Sequence, residues 1–272
     1  MTDRYAVVGN PISHSKSPLI HAEFARLTNQ DLTYEALLAP PDGFVQTIAD
    51  FERQGGRGLN VTVPFKEEAY RFADRLSERA REAKAVNTLK REGEGWFGDN
   101  TDGAGLVRDL TMNLEFPLAG SRILLMGAGG AARGVLVPLL REHPRSLTLV
   151  NRTQAKAEQL RKEALIEFAP LISVAGYDEL QGPFDLILNC TSASLQGELP
   201  PLKRGPFSQA RLVYDMMYGA GITPFCQLAR ASGAERIAEG IGMLVEQAAE
   251  TFSLWRGVHP PTRELISRLK SF

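Results

Sequence analysis

The chain alternates short apolar runs with longer segments in which apolar residues recur at every third or fourth position. Short runs rich in Val, Leu and Tyr predict β-strands, and the wider spacing predicts amphipathic helices. In the first third of the chain the predicted strands are residues 5–8, 34–38, 58–63 and 86–89, and the predicted helices are residues 19–27 and 43–53. This alternation of strands and helices is typical of an α/β unit.

The same pattern begins again after residues 99–102, whose turn-forming side chains precede a helix predicted to start around Gly103. Helical segments separate the next apolar runs, which predicts a Rossmann-type, doubly wound parallel sheet. Its predicted strands are residues 122–126, 147–150, 185–188 and 212–214. Two further helices, residues 243–255 and 262–269, follow, and we expect these C-terminal helices to return to the first unit.

Length and composition agree with two domains and exclude several classes of protein. A chain of 272 residues exceeds the usual size of one hydrophobic core, and 43% hydrophobic with 23% charged residues is ordinary for a globular enzyme. The predicted domains are residues 1–101 with 239–272, and residues 102–238. A formal net charge of -1 gives no field for nucleic acid or an anionic membrane, so we expect a small-molecule partner.

The two cysteines, Cys190 and Cys226, are too few and too far apart for a disulfide framework or a zinc site. We expect them to be buried free thiols, and we expect no metal. The first residues lack the pattern of a signal peptide, and no apolar window approaches the length of a membrane span. A cytoplasmic protein without membrane contact fits these features.

A glycine-rich turn follows the predicted strand 122–126 and precedes a helical run, which is the context of a dinucleotide-binding G-x-G-x-x-A motif. Gly127 permits the tight turn, Gly129 lets backbone N–H groups approach a pyrophosphate, and Ala132 lets the helix pack closely on the strand. Such turns also serve only to pack a helix on a sheet. The candidate pyrophosphate contacts are Gly127, Ala128, Gly129, Gly130 and Ala131.

The next predicted strand ends at Val150, where a dinucleotide enzyme keeps the group that meets the adenosine ribose. An acidic residue at this place selects NAD. This chain has Arg152 there and Lys156 one helical turn later, so two cations can hold a 2′-phosphate, which predicts NADP. The alternative is a solvated cation beside a helix cap. The candidate adenosine contacts are Asn151, Arg152, Thr153 and Lys156.

A candidate proton donor lies in the first unit. Lys66 stands just after a predicted strand that ends at Pro64, where a lysine can protonate a developing alkoxide if a carboxylate fixes its position. An isolated lysine at a strand end is more often a solvated charge. The other candidates are mostly neutral hydrogen-bonding side chains, which suit a polyhydroxylated carboxylate, although each also has a purely structural explanation. They are Ser15, Ser17, Thr62, Asn87, Asp102 and Gln247.

Five sequence motifs, which follow one another along the chain, contain most of these candidate residues. The motifs are S-x-S-P from Ser15, N-V-T-V-P-F-K from Asn60, A-V-N-T-L from Ala85, G-x-N-T-D from Gly98 and G-A-G-G-A-x-R from Gly127. Over nearly its whole length the chain resembles the shikimate dehydrogenase family.

This resemblance implies roles for particular residues. Lys66 and Asp102 would be the catalytic pair, while Met216 and Gly240 would lie near the nicotinamide of NADP. The implied reaction is the reversible, NADPH-dependent reduction of 3-dehydroshikimate to shikimate, in the biosynthesis of chorismate and aromatic amino acids. Residues 1–101 with 239–272 would bind the substrate, and residues 102–238 would bind NADP. The implied substrate contacts are Ser15, Ser17, Thr62, Asn87, Asp102, Tyr218 and Gln247.

Two other functions remain open at this stage. One is a quinate/shikimate dehydrogenase that prefers NAD, against which Arg152 argues. Lys156, where many relatives have Arg, makes a weaker NADP preference an expectation as well. The other is a non-catalytic NADP-binding module, against which the intact Lys66 and Asp102 argue. The sequence is compatible with a monomer or a homodimer.

Overall fold

The computed structural model describes residues 2–180, 182–191, 193, 199–202, 205–219 and 221–270. The chain divides into two compact units. The first contains the residues up to Gly105 together with Leu244–Ser267, and the second contains Leu106–Met243 and the residues from Arg268 onward. These borders lie a few residues after the predicted ones, and the last residues, assigned from the sequence to the first domain, group with the second. The borders after Gly105 and after Met243 both fall inside helices, where the sequence has no turn signal.

The first unit contains a mixed six-stranded sheet with the strand order β2-β1-β3-β5-β6-β4. β1 pairs in parallel with β2 and β3, whereas β5 is antiparallel to both β3 and β6. β4 closes the sheet as a short parallel edge beside β6. The strands are β1 Asp3–Gly9, β2 Leu32–Leu38, β3 Gly56–Val61, β4 Arg75–Leu76, β5 Thr88–Glu92 and β6 Gly95–Asp99.

Local chemistry explains where two helices of the first unit begin or end. Pro18 occupies the first turn of α1, and Asn29, in the left-handed conformation, ends that helix. The Ser77 hydroxyl accepts a hydrogen bond from the Ala80 N–H and so caps α4. The helices are α1 Ser17–Thr28, α2 Phe44–Arg53, α3 Lys66–Phe72 and α4 Glu78–Ala83. A core that includes Phe44, Phe65 and Trp96 lies between helices and sheet.

The second unit contains six parallel strands in the order β12-β11-β10-β7-β8-β9, which is the doubly wound order of a dinucleotide-binding fold. Alternate residues of β7 enter different cores: Ile123 and Leu125 pack on one face, Leu124 and Met126 on the other. Apolar side chains on both faces explain the uninterrupted runs in the sequence. The strands are β7 Arg122–Met126, β8 Ser146–Val150, β9 Ile172–Ala175, β10 Leu186–Asn189, β11 Leu212–Asp215 and β12 Ile237–Glu239.

The remaining helices follow the expected order. The described helices are α5 Asp102–Arg108, α6 Gly130–Arg141, α7 Gln154–Glu163, α8 Pro224–Ala231, α9 Ile241–Arg256 and α10 Arg263–Lys270. α5 continues into a π-helical turn, Asp109–Asn113. Short 3₁₀ turns occur at Ile166–Leu171 and Gly205–Gln209. From Leu244 onward α9 belongs to the first unit, as does most of α10, so the predicted α/β architecture with returning C-terminal helices is confirmed.

Strand prediction was incomplete at the sheet edges and next to one of them. β4, β6, β9 and β12 were missed, and β5 begins two residues later than predicted and extends to Glu92. β6 contains Gly95 and Gly98 and lacks a clean alternation, while β4 has only two residues, so neither carries a strand signal. Cys190 and Cys226 are both buried and form no disulfide, as expected. Among the residues that the structure describes, no helix is long and apolar enough to cross a membrane.

Candidate active site

An ion pair joins two polar side chains at the sheet of the first unit. Lys66 is the first residue of α3, and Asp102 is the first residue of α5. The Lys66 Nζ atom lies 2.6 Å from Oδ2 of Asp102, and the two side chains are 15% and 6% exposed. A short, largely desolvated charge pair of this kind is strongly directional. The geometry fixes the ammonium group while leaving a small part of it accessible.

A buried amide holds the other oxygen of Asp102. The Asn87 Nδ2 atom lies 2.9 Å from Asp102 Oδ1 and 2.9 Å from Thr101 Oγ1. Its Oδ1 atom accepts from the Thr101 N–H at 2.8 Å and from the Thr88 hydroxyl at 2.9 Å. Gln247 of α9 brings its Oε1 atom to 3.3 Å from both Asn87 Nδ2 and Thr101 Oγ1. The structure thus brings Lys66, Asn87, Asp102 and Gln247 into one network.

A second polar layer lies behind this network. Asn60, on β3, donates through Nδ2 to the Asn87 carbonyl at 3.2 Å and to the Thr251 hydroxyl of α9 at 3.2 Å. Thr88 and Thr251 share a hydrogen bond of 2.8 Å, and Tyr34 donates to Asn60 Oδ1 at 2.8 Å. Asn60, Thr88 and Thr251 are buried and Tyr34 is half-buried, and an unpaired polar group in the interior is costly. The layer therefore restrains Asn87 from behind.

The remaining candidates of the first unit stand at neighbouring strand ends. β1 and β3 are parallel with Val8 opposite Val61, so the residues that follow both strands lie at one edge of the sheet. Thr62 follows β3 and is half-buried, and its methyl group packs so closely on Gly9 that a side chain there would overlap it. Ser17 begins α1, and its N–H donates to the Ser15 hydroxyl at 3.3 Å. Ser15, Ser17 and Thr62 thus share the edge at which β1 and β3 end.

The glycine turn of the second unit fits a pyrophosphate. Gly127 follows β7 with φ +113, a left-handed conformation that favours glycine, and its N–H donates to the Val150 carbonyl at 2.8 Å. Gly129 is exposed, and a Cβ added there would meet no atom within 4 Å, so a ligand has room to approach its backbone. α6 begins directly afterwards at Gly130 and directs its first N–H groups and positive dipole end outward. Ala132, fully buried, packs the helix on the sheet.

Cations cluster at the end of the next strand. Arg152 and Lys156 are both exposed, one just after β8 and the other in the first turn of α7. Asn151 donates through Nδ2 to the Thr153 carbonyl at 2.8 Å, and the Lys156 N–H donates to the same carbonyl at 3.0 Å. These bonds shape the loop between strand and helix. The arrangement suits a 2′-phosphate, because two accessible cations stand where an acidic residue would select NAD.

Met216 and Gly240 meet at the ends of β11 and β12. The Gly240 backbone packs so closely on Met216 that a Cβ added at Gly240 would overlap the Met216 carbonyl oxygen. Gly240 also donates through its N–H to the Met217 carbonyl at 3.2 Å, and the Met216 N–H donates to the Asn189 carbonyl at 2.9 Å. Tyr218 lies two residues further along this segment and is half-buried. The second unit thus gathers these candidates at the carboxyl ends of its strands.

Three family models match successive parts of the chain. The model described as the shikimate dehydrogenase substrate binding domain matches residues 7–89. The model described as shikimate / quinate 5-dehydrogenase matches residues 110–196, and the model described as the shikimate 5'-dehydrogenase C-terminal domain matches residues 240–270.

A curated relative from Nitrosospira multiformis, named shikimate dehydrogenase (NADP(+)), is 57% identical over 272 residues, which cover 100% of this chain and 98% of the relative. The chain belongs to the shikimate dehydrogenase family. Among solved structures, an Ael1 enzyme from Pseudomonas putida has a TM-score of 0.91 at 49% identity, with 98% of each chain covered. The shikimate 5-dehydrogenase of Thermus thermophilus, solved with NADP(H) and shikimate, has a TM-score of 0.86 at 30% identity and covers 98% of this chain and 99% of its own.

Membership of the shikimate dehydrogenase family confirms the resemblance that the five motifs indicated. The sequence did not single out Thr101, although it lies inside the G-x-N-T-D motif, nor Asn60, which begins the N-V-T-V-P-F-K motif. Thr251 stands in α9 at an apolar helix position and carries no sequence signal of its own. In the part of the chain that the structure describes, no three His, Cys, Asp or Glu side chains gather as metal ligands would.

Proposed function

We propose that this chain catalyses the reversible, NADPH-dependent reduction of 3-dehydroshikimate to shikimate. The observation that carries the proposal is the pair of Lys66 Nζ and Asp102 Oδ2 at 2.6 Å, set in a hydrogen-bonded network, in a member of the shikimate dehydrogenase family. Its curated relative from Nitrosospira multiformis bears the name of this activity and cofactor. The names of these relatives agree with the NADP dependence that Arg152 predicts.

Lys66 supplies the proton that carbonyl reduction requires. A hydride added to a ketone carbon leaves negative charge on the oxygen, and an ammonium group beside that oxygen stabilises the charge and transfers a proton. Asp102 holds the ammonium at one position, so the donor is already oriented before reaction begins. In the oxidation of shikimate the neutral amine of Lys66 removes the hydroxyl proton.

Polar groups around the pair bind the rest of the substrate. Ser15, Ser17 and Thr62, at the edge where β1 and β3 end, have the hydroxyl donors that a carboxylate needs. Asn87 and Gln247 supply amide groups that exchange hydrogen bonds with ring hydroxyls. We also assign Tyr218, from the segment after β11, to the substrate.

The second unit holds NADP. When bound, the cofactor supplies the hydride that reduces the ketone carbon. The exposed backbone at Gly129 and the N-terminus of α6 bind the pyrophosphate, with Gly127, Ala128, Gly130 and Ala131 shaping the turn. Arg152 and Lys156, with Asn151 and Thr153, bind the 2′-phosphate and adenosine, and Met216 and Gly240 line the nicotinamide position.

The direct test is oxidation of shikimate by the purified protein, followed through the absorbance of NADPH. We expect NADPH to accumulate with NADP+ and shikimate together and with neither alone. Absence of turnover, in a preparation that NADPH still stabilises in a thermal shift, would contradict the proposal and favour the non-catalytic NADP-binding module.

A quinate/shikimate dehydrogenase with a preference for NAD is the second candidate. The family model that matches residues 110–196 carries both substrates in its description. Arg152 favours NADP over NAD, and the hydroxyls of Ser15 and Ser17 fit the shikimate pattern. Comparing kcat/KM for shikimate and quinate, each with NADP+ and NAD+, decides between the two, since a higher value with quinate and NAD+ would replace the first proposal.

We also propose a cellular location, partners and an oligomeric state for the enzyme. Cys190 and Cys226 form no disulfide, which is compatible with the reducing cytoplasm, where we place the protein. Small molecules are its expected partners, without nucleic acid or membrane. The chain works as a monomer or a homodimer, which light scattering would distinguish.

A further inference from the structure

A bidentate ion pair lies beneath the turn that presents Asp102. Arg79, on α4, donates through Nε to Asp99 Oδ1 at 2.7 Å and through Nη2 to Asp99 Oδ2 at 2.6 Å. The side chain of Asp99 is 4% exposed and that of Arg79 is 33% exposed. Glu250 of α9 adds a longer contact of 3.8 Å to the same guanidinium. Two parallel hydrogen bonds give this pair a fixed orientation.

Asp99 also binds the backbone that leads to Asp102. Its Oδ1 atom accepts from the Asn100 N–H at 2.7 Å and from the Ser77 hydroxyl at 2.6 Å. Asn100 continues the chain of contacts: its Oδ1 atom accepts from the Asp102 N–H at 3.1 Å, and its Nδ2 atom donates to the Ala85 carbonyl at 2.9 Å. An unbroken series of hydrogen bonds therefore runs from Arg79 through Asp99 and Asn100 to the backbone of Asp102.

We propose that Asp99, held by Arg79, is a positioning residue for Asp102: Asp99 fixes the turn so that the Asp102 carboxylate holds the Lys66 ammonium group in place for proton transfer to the substrate. This inference rests on the proposed function, because it takes Lys66 and Asp102 as the catalytic pair. It adds two residues that touch neither substrate nor cofactor. Asn87 holds the Asp102 carboxylate, and Asp99 holds the backbone of the same turn.

The charge of Asp99 is required for this role. Burial raises the pKa of Asp99, but the hydrogen bonds and charge of Arg79, with the donors of Ser77 and Asn100, outweigh burial and lower the pKa below its ordinary value. Every group around the carboxylate is a donor. An amide in its place would turn an N–H group toward another donor, so Asp99→Asn keeps the shape and breaks the arrangement.

The first measurement is steady-state kinetics of Asp99→Asn with shikimate and NADP+. A misplacement of the Lys66 to Asp102 pair by a fraction of an ångström should lower kcat by roughly tenfold or more. KM for shikimate should change less than threefold or so, because the substrate-binding hydroxyls stand on other elements. Arg79→Lys should retain more kcat than Arg79→Gln, since a lysine restores the charge without the bidentate geometry.

Two control variants separate positioning from general destabilisation. Glu92→Gln removes a charge that pairs with Arg75 and Lys90 in the same unit, at a half-buried position away from the 99–102 turn. Ile48→Val shortens a buried core side chain of α2 and lowers the melting temperature without touching the turn. Both should keep the kcat of the wild type at a temperature well below their melting temperatures.

Amide hydrogen exchange supplies a readout that does not depend on activity. The N–H groups of Asn100 and Asp102 should exchange faster in Asp99→Asn and in Arg79→Gln, and at the normal rate in Ile48→Val. If Asp99→Asn fails to fold, the two Arg79 variants allow the same comparison of kcat and amide exchange with the wild type.

The outcomes separate this inference from the proposed function. Wild-type kcat in Asp99→Asn and Arg79→Gln, with activity lost in Lys66→Ala, would overturn the positioning role and leave the proposed function standing. A wild type that does not oxidise shikimate would end the proposed function, and unchanged exchange at residues 100–102 in the variants would then independently end the positioning role. A selective loss of kcat with faster exchange supports it.

Discussion

Lys66 Nζ and Asp102 Oδ2 lie 2.6 Å apart although each residue begins a different helix after a different strand. β3 precedes α3 and β6 precedes α5, and β5 lies between these two strands in the sheet. The pair therefore depends on the register of three strands rather than on one local motif. Substitutions at Lys66 test the chemistry without disturbing that register.

Replacing Lys66 by Ala should lower kcat for shikimate oxidation by roughly a hundredfold or more, since the proton-transfer group is lost. KM for shikimate should change much less, because the interaction with Lys66 strengthens only as the alkoxide forms. Steady-state rates across a range of shikimate concentrations measure both constants. Lys90→Ala is the matched control, as this lysine lies on β5 in the same unit and pairs with Glu92. Equal losses in the two variants would contradict the assignment.

Replacing Gly240 by Ala should weaken NADPH binding and lower the free energy of unfolding by about 1–3 kcal/mol. The added methyl group would overlap the Met216 carbonyl oxygen, so one of the two segments must move. Isothermal titration calorimetry with NADPH and thermal denaturation measure the two effects. Gly205→Ala is the control, because a Cβ there meets no atom within 4 Å and should leave both quantities unchanged. Normal NADPH affinity in Gly240→Ala would remove Gly240 from the cofactor site.

Replacing Arg152 by Gln should raise KM for NADP+ by roughly tenfold or more and leave KM for NAD+ nearly unchanged, since only NADP+ carries the 2′-phosphate. Lys156→Ala should have a smaller effect in the same direction, and Lys156→Arg should strengthen the preference for NADP+ by adding a bidentate donor. The ratio of kcat/KM for the two cofactors is the measurement. Arg230→Gln, at an exposed position on α8, serves as the control. Equal losses of kcat/KM with NADP+ and NAD+ would show that Arg152 does not bind the 2′-phosphate.

Replacing His21 by Phe should make the protein less sensitive to acid. Burial lowers the pKa of His21 to about 3, against a smaller opposing effect of the nearby Asn60, and the ring stacks on Tyr34 at 4.2 Å between centroids. The unfolded chain, with a His pKa of about 6.5, binds the proton that the folded state excludes. The stability linked to neutral His21 is therefore present above pH 6.5 or so and is lost as pH falls toward 3.

Below the unfolded pKa the wild type should lose about 1.4 kcal/mol of unfolding free energy per pH unit through this residue, and His21→Phe should lack that part of the slope. Urea denaturation at several pH values between neutrality and pH 4 or so measures the difference. His259→Gln, at an exposed histidine, should keep the wild-type slope. An unchanged slope in His21→Phe would mean that the buried ring is not excluded from protonation.

The sheet of the second unit was predictable because its central strands bury both faces. β7, β10 and β11 contain continuous apolar runs, β8 contains the buried Leu147, Leu149 and Val150, and each strand was predicted within one or two residues. The short edge strands β4, β9 and β12 were not predictable to the same degree. β12 has three residues, all half-buried, so the pattern that marks a core strand is missing there.

Some features of the candidate site could be predicted from the sequence and others could not. Glycine turns and strand ends can be recognised in the sequence, as Gly127 after β7 and Lys66 after Pro64 show. Contacts between distant segments do not. Asn60 and Thr251 are 191 positions apart and still share a hydrogen bond, and no periodicity in either segment predicts it. The roles of Asp99 and Arg79 depend in the same way on which donors surround one carboxylate.

The contact between Asn60 and Thr251 has a consequence for synthesis on the ribosome. The first unit includes Leu244–Ser267, so its polar interior cannot close until all of Leu106–Met243 has been translated. The second unit is continuous over that stretch and can collapse as it emerges, since domains generally fold as units during synthesis. The amino-terminal segment therefore cannot complete its fold, and Asn60 and Thr88 lack their partner Thr251, until α9 has been synthesised. In this protein the part made first is completed last.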